Sequence, residues 1–85
     1  MKMETAVGLV FAELRRAEEK FGGFASPHEG YAVLLEEVDE LWHEVKHGTP
    51  GRQRAEAVQV AAMGLRFLLN LCEEPEEEEQ RKETP

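Results

Sequence analysis

Four acidic side chains in the middle of the chain, Glu36, Glu37, Glu40 and Glu56, are the residues whose type and spacing point most directly to chemistry. Glu37 and Glu40 stand three apart, as do Glu56 and Gln59, so on helices each pair projects from one side. Brought together, they offer four oxygen-bearing side chains around a shared point. Hard oxygen donors of this kind suit Mg²⁺ or Mn²⁺, and Mg²⁺ sites typically combine a few carboxylates with water and substrate phosphates. His28, His43 and His47 form no comparable set. His43 and His47 are four apart but lack a Glu or a third His at the spacing of a helical zinc site.

Positioning these acids requires helices, and the sequence supplies three segments with apolar residues at steps of three and four. The first is expected from about Glu4 to Phe21, ending at Gly22-Gly23. Ser26-Pro27-His28-Glu29 opens the second: Ser caps, Pro suits the first helical position, and Glu three residues later completes a capping box. That helix should run to about His47 and stop at Gly48-Thr49-Pro50-Gly51. A third is expected from near Arg52 through Cys72, with Pro75 limiting its extension. No sustained alternation of apolar and polar residues suggests a strand. The fold class expected is therefore all-α: an antiparallel hairpin plus an N-terminal helix.

Angular spacing on the second helix places Tyr31, Leu34, Leu35, Val38, Leu41, Trp42 and Val45 on one arc, read as its core face. Glu36, Glu37, Glu40 and Glu44 then form an acidic ridge on the other side. The third helix has Glu56, Gln59, Arg66 and Asn70 on a narrow stripe and is otherwise mostly apolar between Ala55 and Cys72. Too much apolar surface is present for two neighbours to cover. A chain of 85 residues also buries only about 60% of its unfolded surface alone. Homodimer or homotetramer formation, completing a four-helix or larger bundle, is the expectation.

Residues 73–85 carry seven acids and two bases, so −5 of the net charge of −8 sits there and −3 in residues 1–72. One helical domain over 1–72 followed by an acidic, disordered tail is expected. Such a balance disfavours duplex nucleic acid and anionic membranes as partners, since both require clustered Lys and Arg. The single Cys72 excludes an internal disulfide and a Cys-rich zinc site. With no spanning-length apolar run and no apolar leader, a cytoplasmic protein is expected.

Joined, Glu36-Glu37-Val38-Asp39-Glu40 and Glu56-Ala57-Val58-Gln59 resemble the EExxE…ExxD signature of the MazG-like all-α nucleoside triphosphate pyrophosphohydrolases. The resemblance spans roughly residues 5 to 72. It implies Mg²⁺-dependent hydrolysis of a nucleoside triphosphate to the monophosphate and pyrophosphate. It further implies metal binding by Glu37, Glu40 and Glu56, and a catalytic role in orienting or deprotonating water for Glu36 or Glu37. Gln59 stands where the pattern has Asp, bringing a carbonyl oxygen but no charge. That departure keeps open an alternative: a catalytically weak or inactive helical module that binds nucleotide or metal. Arg66, sharing the stripe of Glu56 and Gln59, leads the candidates for phosphate contact, with Lys46, Arg52 and Arg54 around the hairpin loop.

Overall fold

A computed structural model describes residues 1–76, and among them every regular element is helical: α1 (Met3–Phe21), α2 (Pro27–His47) and α3 (Pro50–Leu71). The acidic segment expected to be disordered lies from 77 onward outside the described residues, and 73–76 carry no regular structure. No helix among the described residues is long and apolar enough to cross a membrane.

Local sequence accounts for the helix ends. Gly22 closes α1 with a positive φ of 70°, a conformation glycine adopts at little cost, and its N–H donates to the Glu18 carbonyl. At the start of α2 the Ser26 hydroxyl accepts from the Glu29 N–H at 3.1 Å. The return bond of the capping box differs by one residue from the expected form: the Glu29 carboxylate accepts from Ala25 N–H at 3.0 Å. Thr49 and Pro50 do more than stop α2. They begin α3, two residues earlier than expected, because the Thr49 hydroxyl accepts from Arg52 N–H with Pro50 in the first turn. Gln53 then bolts the hairpin by donating its amide N–H to the Glu44 carbonyl at 3.2 Å.

α3 is the central element. It packs against both α1 and α2, which do not pack against each other. Leu14, Ala17, Phe24, Ala62 and Met63 form the buried apolar set, joined by the partly covered Val10, Val33, Leu34, Phe67 and Leu71. At Gly30 the hairpin closes tightly: a Cβ there would stand 2.8 Å from the Phe67 ring and 3.0 Å from Leu71. Only glycine permits this approach.

The expected core face of α2 is rotated, and α1 too leaves apolar residues in solvent. On α2 the most covered positions are Gly30, Val33, Leu34, Glu37, Leu41 and Glu44, whereas Tyr31, Leu35, Val38, Trp42 and Val45 of the expected core arc are exposed. On α1, Val7, Phe11 and Phe21 are likewise exposed while Leu14 and Ala17 are buried. Apolar spacing locates the greasiest face of a helix, but α2 turns that face outward and packs a face that includes two glutamates.

Candidate acidic cleft

Because α1 and α2 flank α3 without touching, a cleft of about 540 Å³ opens between them over α3. Glu36, Glu37 and Glu40 enter it from α2, Glu56, Gln59, Met63 and Arg66 from α3, and Glu13 and Arg16 from α1. Glu37, Glu40 and Glu56 converge there, each presenting a carboxylate oxygen, with these atoms all within 4.8 Å of one another. The spacing that made them a candidate set in sequence is thus met by the hairpin register.

Like charges at this separation repel, and the side chains show it in their proton affinity. Burial, first, and then the neighbouring Glu56 and Glu40 raise the Glu37 pKa to about 7. Burial also raises Glu56, with Glu40 and Glu44 adding to the rise and the hydrogen bond with Glu37 opposing it. One Oε2 of each of Glu37, Glu44 and Glu56 is shielded from solvent and has no hydrogen-bond partner. A buried carboxylate oxygen without a donor is costly. Glu37, Glu40 and Glu56 converge as hard donors, and a divalent cation such as Mg²⁺ would satisfy the shielded, unpartnered oxygens of Glu37 and Glu56 and lower the repulsion among the three.

The remaining candidates are distributed differently. Glu36 is exposed on the cleft wall. Gln59 lies beside Glu13, whose carboxyl is held below its ordinary value chiefly by the Arg16 hydrogen bond, against burial, with further help from Gln59. Arg66 does line the cleft, yet it is only 3% exposed and its donors are committed. Its Nε donates to Glu18 at 3.2 Å, its Nη2 to the Gly22 carbonyl at 2.6 Å, and its guanidinium lies 4.3 Å from the Phe24 ring centroid. Lys46, Arg52 and Arg54 are exposed and do not line this cleft. Lys46 sits over the Trp42 ring, and Arg54 borders a second depression with Leu9, Ala12 and Val58.

Sequence reasoning missed Glu13 and Arg16, which bring α1 into the cleft as an ion pair at 2.6 Å. Their signal was an acid and a base three apart, just before the buried Ala17. Without knowing which way α1 faces, such a pair reads as an ordinary surface pairing. Comparison of the chain with known protein families, curated proteins and solved structures finds no match.

Proposed function

We infer that the protein is a Mg²⁺-dependent nucleoside triphosphate pyrophosphohydrolase of the MazG-like type. The observation that carries this reading is the convergence of Glu37, Glu40 and Glu56 in an open cleft, with shielded oxygens left unpartnered. The resemblance of the two acidic motifs adds the reaction. Glu37, Glu40 and Glu56 would hold Mg²⁺, for which Mn²⁺ is the natural substitute, and Gln59 is the neighbouring neutral oxygen donor. When bound, the ion neutralises triphosphate charge and stabilises the oxygens of the attacked and leaving groups.

Glu36, in the cleft but exposed, is available to orient a water and accept its proton. The water oxygen then bonds to the α-phosphorus as the bond to the bridging oxygen of the β-phosphate breaks. Pyrophosphate leaves and the monophosphate remains. Arg16, a half-exposed base facing the same cleft, is the cation best placed to meet phosphate. Arg66 instead braces the wall, and Lys46, Arg52 and Arg54 are left to contacts outside the cleft.

Gln59 favours one second reading, a module of the same fold that binds metal or nucleotide with little turnover. Its amide lies beside Glu13 and adds no charge to the acid cluster. A panel of nucleoside triphosphates with Mg²⁺ or Mn²⁺, assayed for pyrophosphate, separates the two. Product that is lost in Glu40→Ala and Glu56→Ala, with helical circular dichroism retained, supports hydrolysis. No product, with nucleotide still raising Tm, selects the binding module. If neither metal nor nucleotide alters Tm, both readings fail.

A further inference from the structure

Beyond the acid cluster, α2 carries a second group of metal-ligating side chains that the cleft does not use. His43 and His47 stand four apart in its last two turns, both exposed and neither lining the cleft. Residues at this spacing are neighbours on one side of a helix. Their rings already lie close, with centroids 5.2 Å apart and planes inclined by 59°. That separation has a meaning for coordination. A ligating ring nitrogen sits about 2.1 Å from a bound dication and its ring centroid roughly 1.1 Å further on, so two imidazoles sharing one ion at a tetrahedral angle have centroids about 5 Å apart. The pair is therefore spaced for a shared ion before any ion arrives.

The surroundings favour a cation there. At about 100° per residue, Glu36, Glu40, His43 and His47 share a stripe roughly 60° wide, so the pair continues an anionic ridge. α2 also ends at His47, and the carbonyls of a helix C-terminus carry partial negative charge. Lys46 stands between the two in sequence, but its ammonium lies over the Trp42 ring, 5.2 Å from the centroid. Trp42 is about 100° or more round the helix from either histidine, so that positive charge is turned away from them. Imidazole nitrogen is a donor that Cu²⁺, Ni²⁺ and Zn²⁺ accept readily, whereas Mg²⁺ prefers oxygen. Among the described residues, Glu37, Glu40 and Glu56 are the group of three such ligands close enough to share an ion, so no third His, Cys or carboxylate closes the histidine site. We propose that His43 and His47 chelate one transition-metal dication of this class, with water or an incoming ligand in the remaining positions. Spanning one helical turn, the chelate pins the C-terminal end of α2. It differs from the acid cluster in donor type and stands independently of the chemistry in the cleft.

Calorimetry on the untagged full chain, with excess Mg²⁺ present to compete at carboxylates, should show one Ni²⁺ bound per chain and tighter binding of Cu²⁺. His43→Ala and His47→Ala should each weaken Ni²⁺ binding about tenfold or more, because the second imidazole of a chelate acts at high effective concentration. Both side chains are exposed, so the variants should retain helical circular dichroism. His28→Ala, in the first turn of α2, should leave Ni²⁺ affinity unchanged. Ni²⁺ should raise the Tm of the native chain and not that of His43→Ala. In proton NMR, substoichiometric Cu²⁺ should broaden the ring resonances of His43 and His47 before those of His28. Absence of Ni²⁺ binding at millimolar concentration overturns the proposal, as does an affinity unchanged in both His43→Ala and His47→Ala. Ni²⁺ binding that survives both substitutions but is lost in Glu37→Gln overturns it too, assigning the ion to the acid cluster.

Discussion

Two polar clusters lie along the same helix, α3, and differ in whether the described residues complete them. Toward its C-terminal end, Arg66 and Asn70 meet Glu18 and the α1–α2 connection. Arg66 donates to Glu18 and to the Gly22 carbonyl, Asn70 donates to Glu18 at 2.8 Å, and Asn70 Oδ1 accepts from Phe24 N–H at 2.8 Å. Charge and hydrogen-bond capacity are matched. About three turns nearer the N-terminus, Glu56 joins Glu37 and Glu40 with no base among the three, and with shielded oxygens of Glu37 and Glu56 unpartnered. The first cluster is a brace that fixes α1 against α3. The second has no positive charge among its three members, so nothing within it offsets their mutual repulsion.

This contrast predicts opposite signs for neutralising a charge in each cluster. Arg66→Met should be the most damaging substitution, lowering unfolding stability by about 3 kcal/mol, because it strands a partly buried Glu18 and the Gly22 carbonyl. Urea unfolding followed by circular dichroism measures it. Glu56→Gln should instead raise the Tm of the metal-free protein, since it removes a repelling, poorly solvated carboxylate. The same substitution should abolish stabilisation by Mg²⁺ and, under the hydrolytic reading, cut turnover about 10²-fold or more. A loss of metal-free stability in Glu56→Gln would break the comparison, because it would make the second cluster a brace like the first.

A smaller effect is expected with pH. Glu37, with its pKa raised to about 7, binds a proton more tightly folded than unfolded. Below the ordinary carboxylate range both states are protonated, and above about 7 both are ionised. Between them the folded state holds the extra proton, so stability should fall as pH rises through this window. The metal-free Tm should therefore drop by a few °C from pH 5 to pH 8, an effect moderated by the solvent access of the cleft. Glu37→Gln should flatten the slope. Divalent metal should bind more tightly as pH rises through 7 and release protons on binding, which calorimetry in buffers of different ionisation enthalpy detects.

The two clusters were also unequally legible in the sequence. Glu37, Glu40 and Glu56 could be found because i, i+3 spacing on two adjacent antiparallel helices leaves few ways to arrange them, and the hairpin was announced by Ser26-Pro27 and Gly48. The brace joins residues 48 and 52 positions apart, Glu18 to Arg66 and to Asn70. No local spacing reveals which face of α1 meets α3, so Arg66 read as a free base for phosphate. Tyr31, Trp42 and Val45 misread for a different reason. Their periodicity is that of a packing seam, but periodicity does not say what packs there, and no helix among the described residues does.

Gln59 lies between the clusters' two regimes, and Gln59→Asp is the finest probe of where one ends. Its amide lies beside Glu13, whose charge is already compensated by Arg16. An aspartate that stayed on the Glu13 side would set two carboxylates against one arginine, lowering stability slightly, by about 0.5 kcal/mol, whether or not Mg²⁺ is present. An aspartate turned toward Glu56 would raise the anionic charge of the cluster, lowering metal-free stability but tightening Mg²⁺ binding. Titrating Tm against Mg²⁺ distinguishes the two, since only the second makes the metal-dependent rise larger than in the native chain. We expect that larger rise, because a residue three positions from Glu56 shares its helix face and the shorter aspartate cannot keep the glutamine's reach to α1. An unchanged metal response would confine the cation site to Glu37, Glu40 and Glu56.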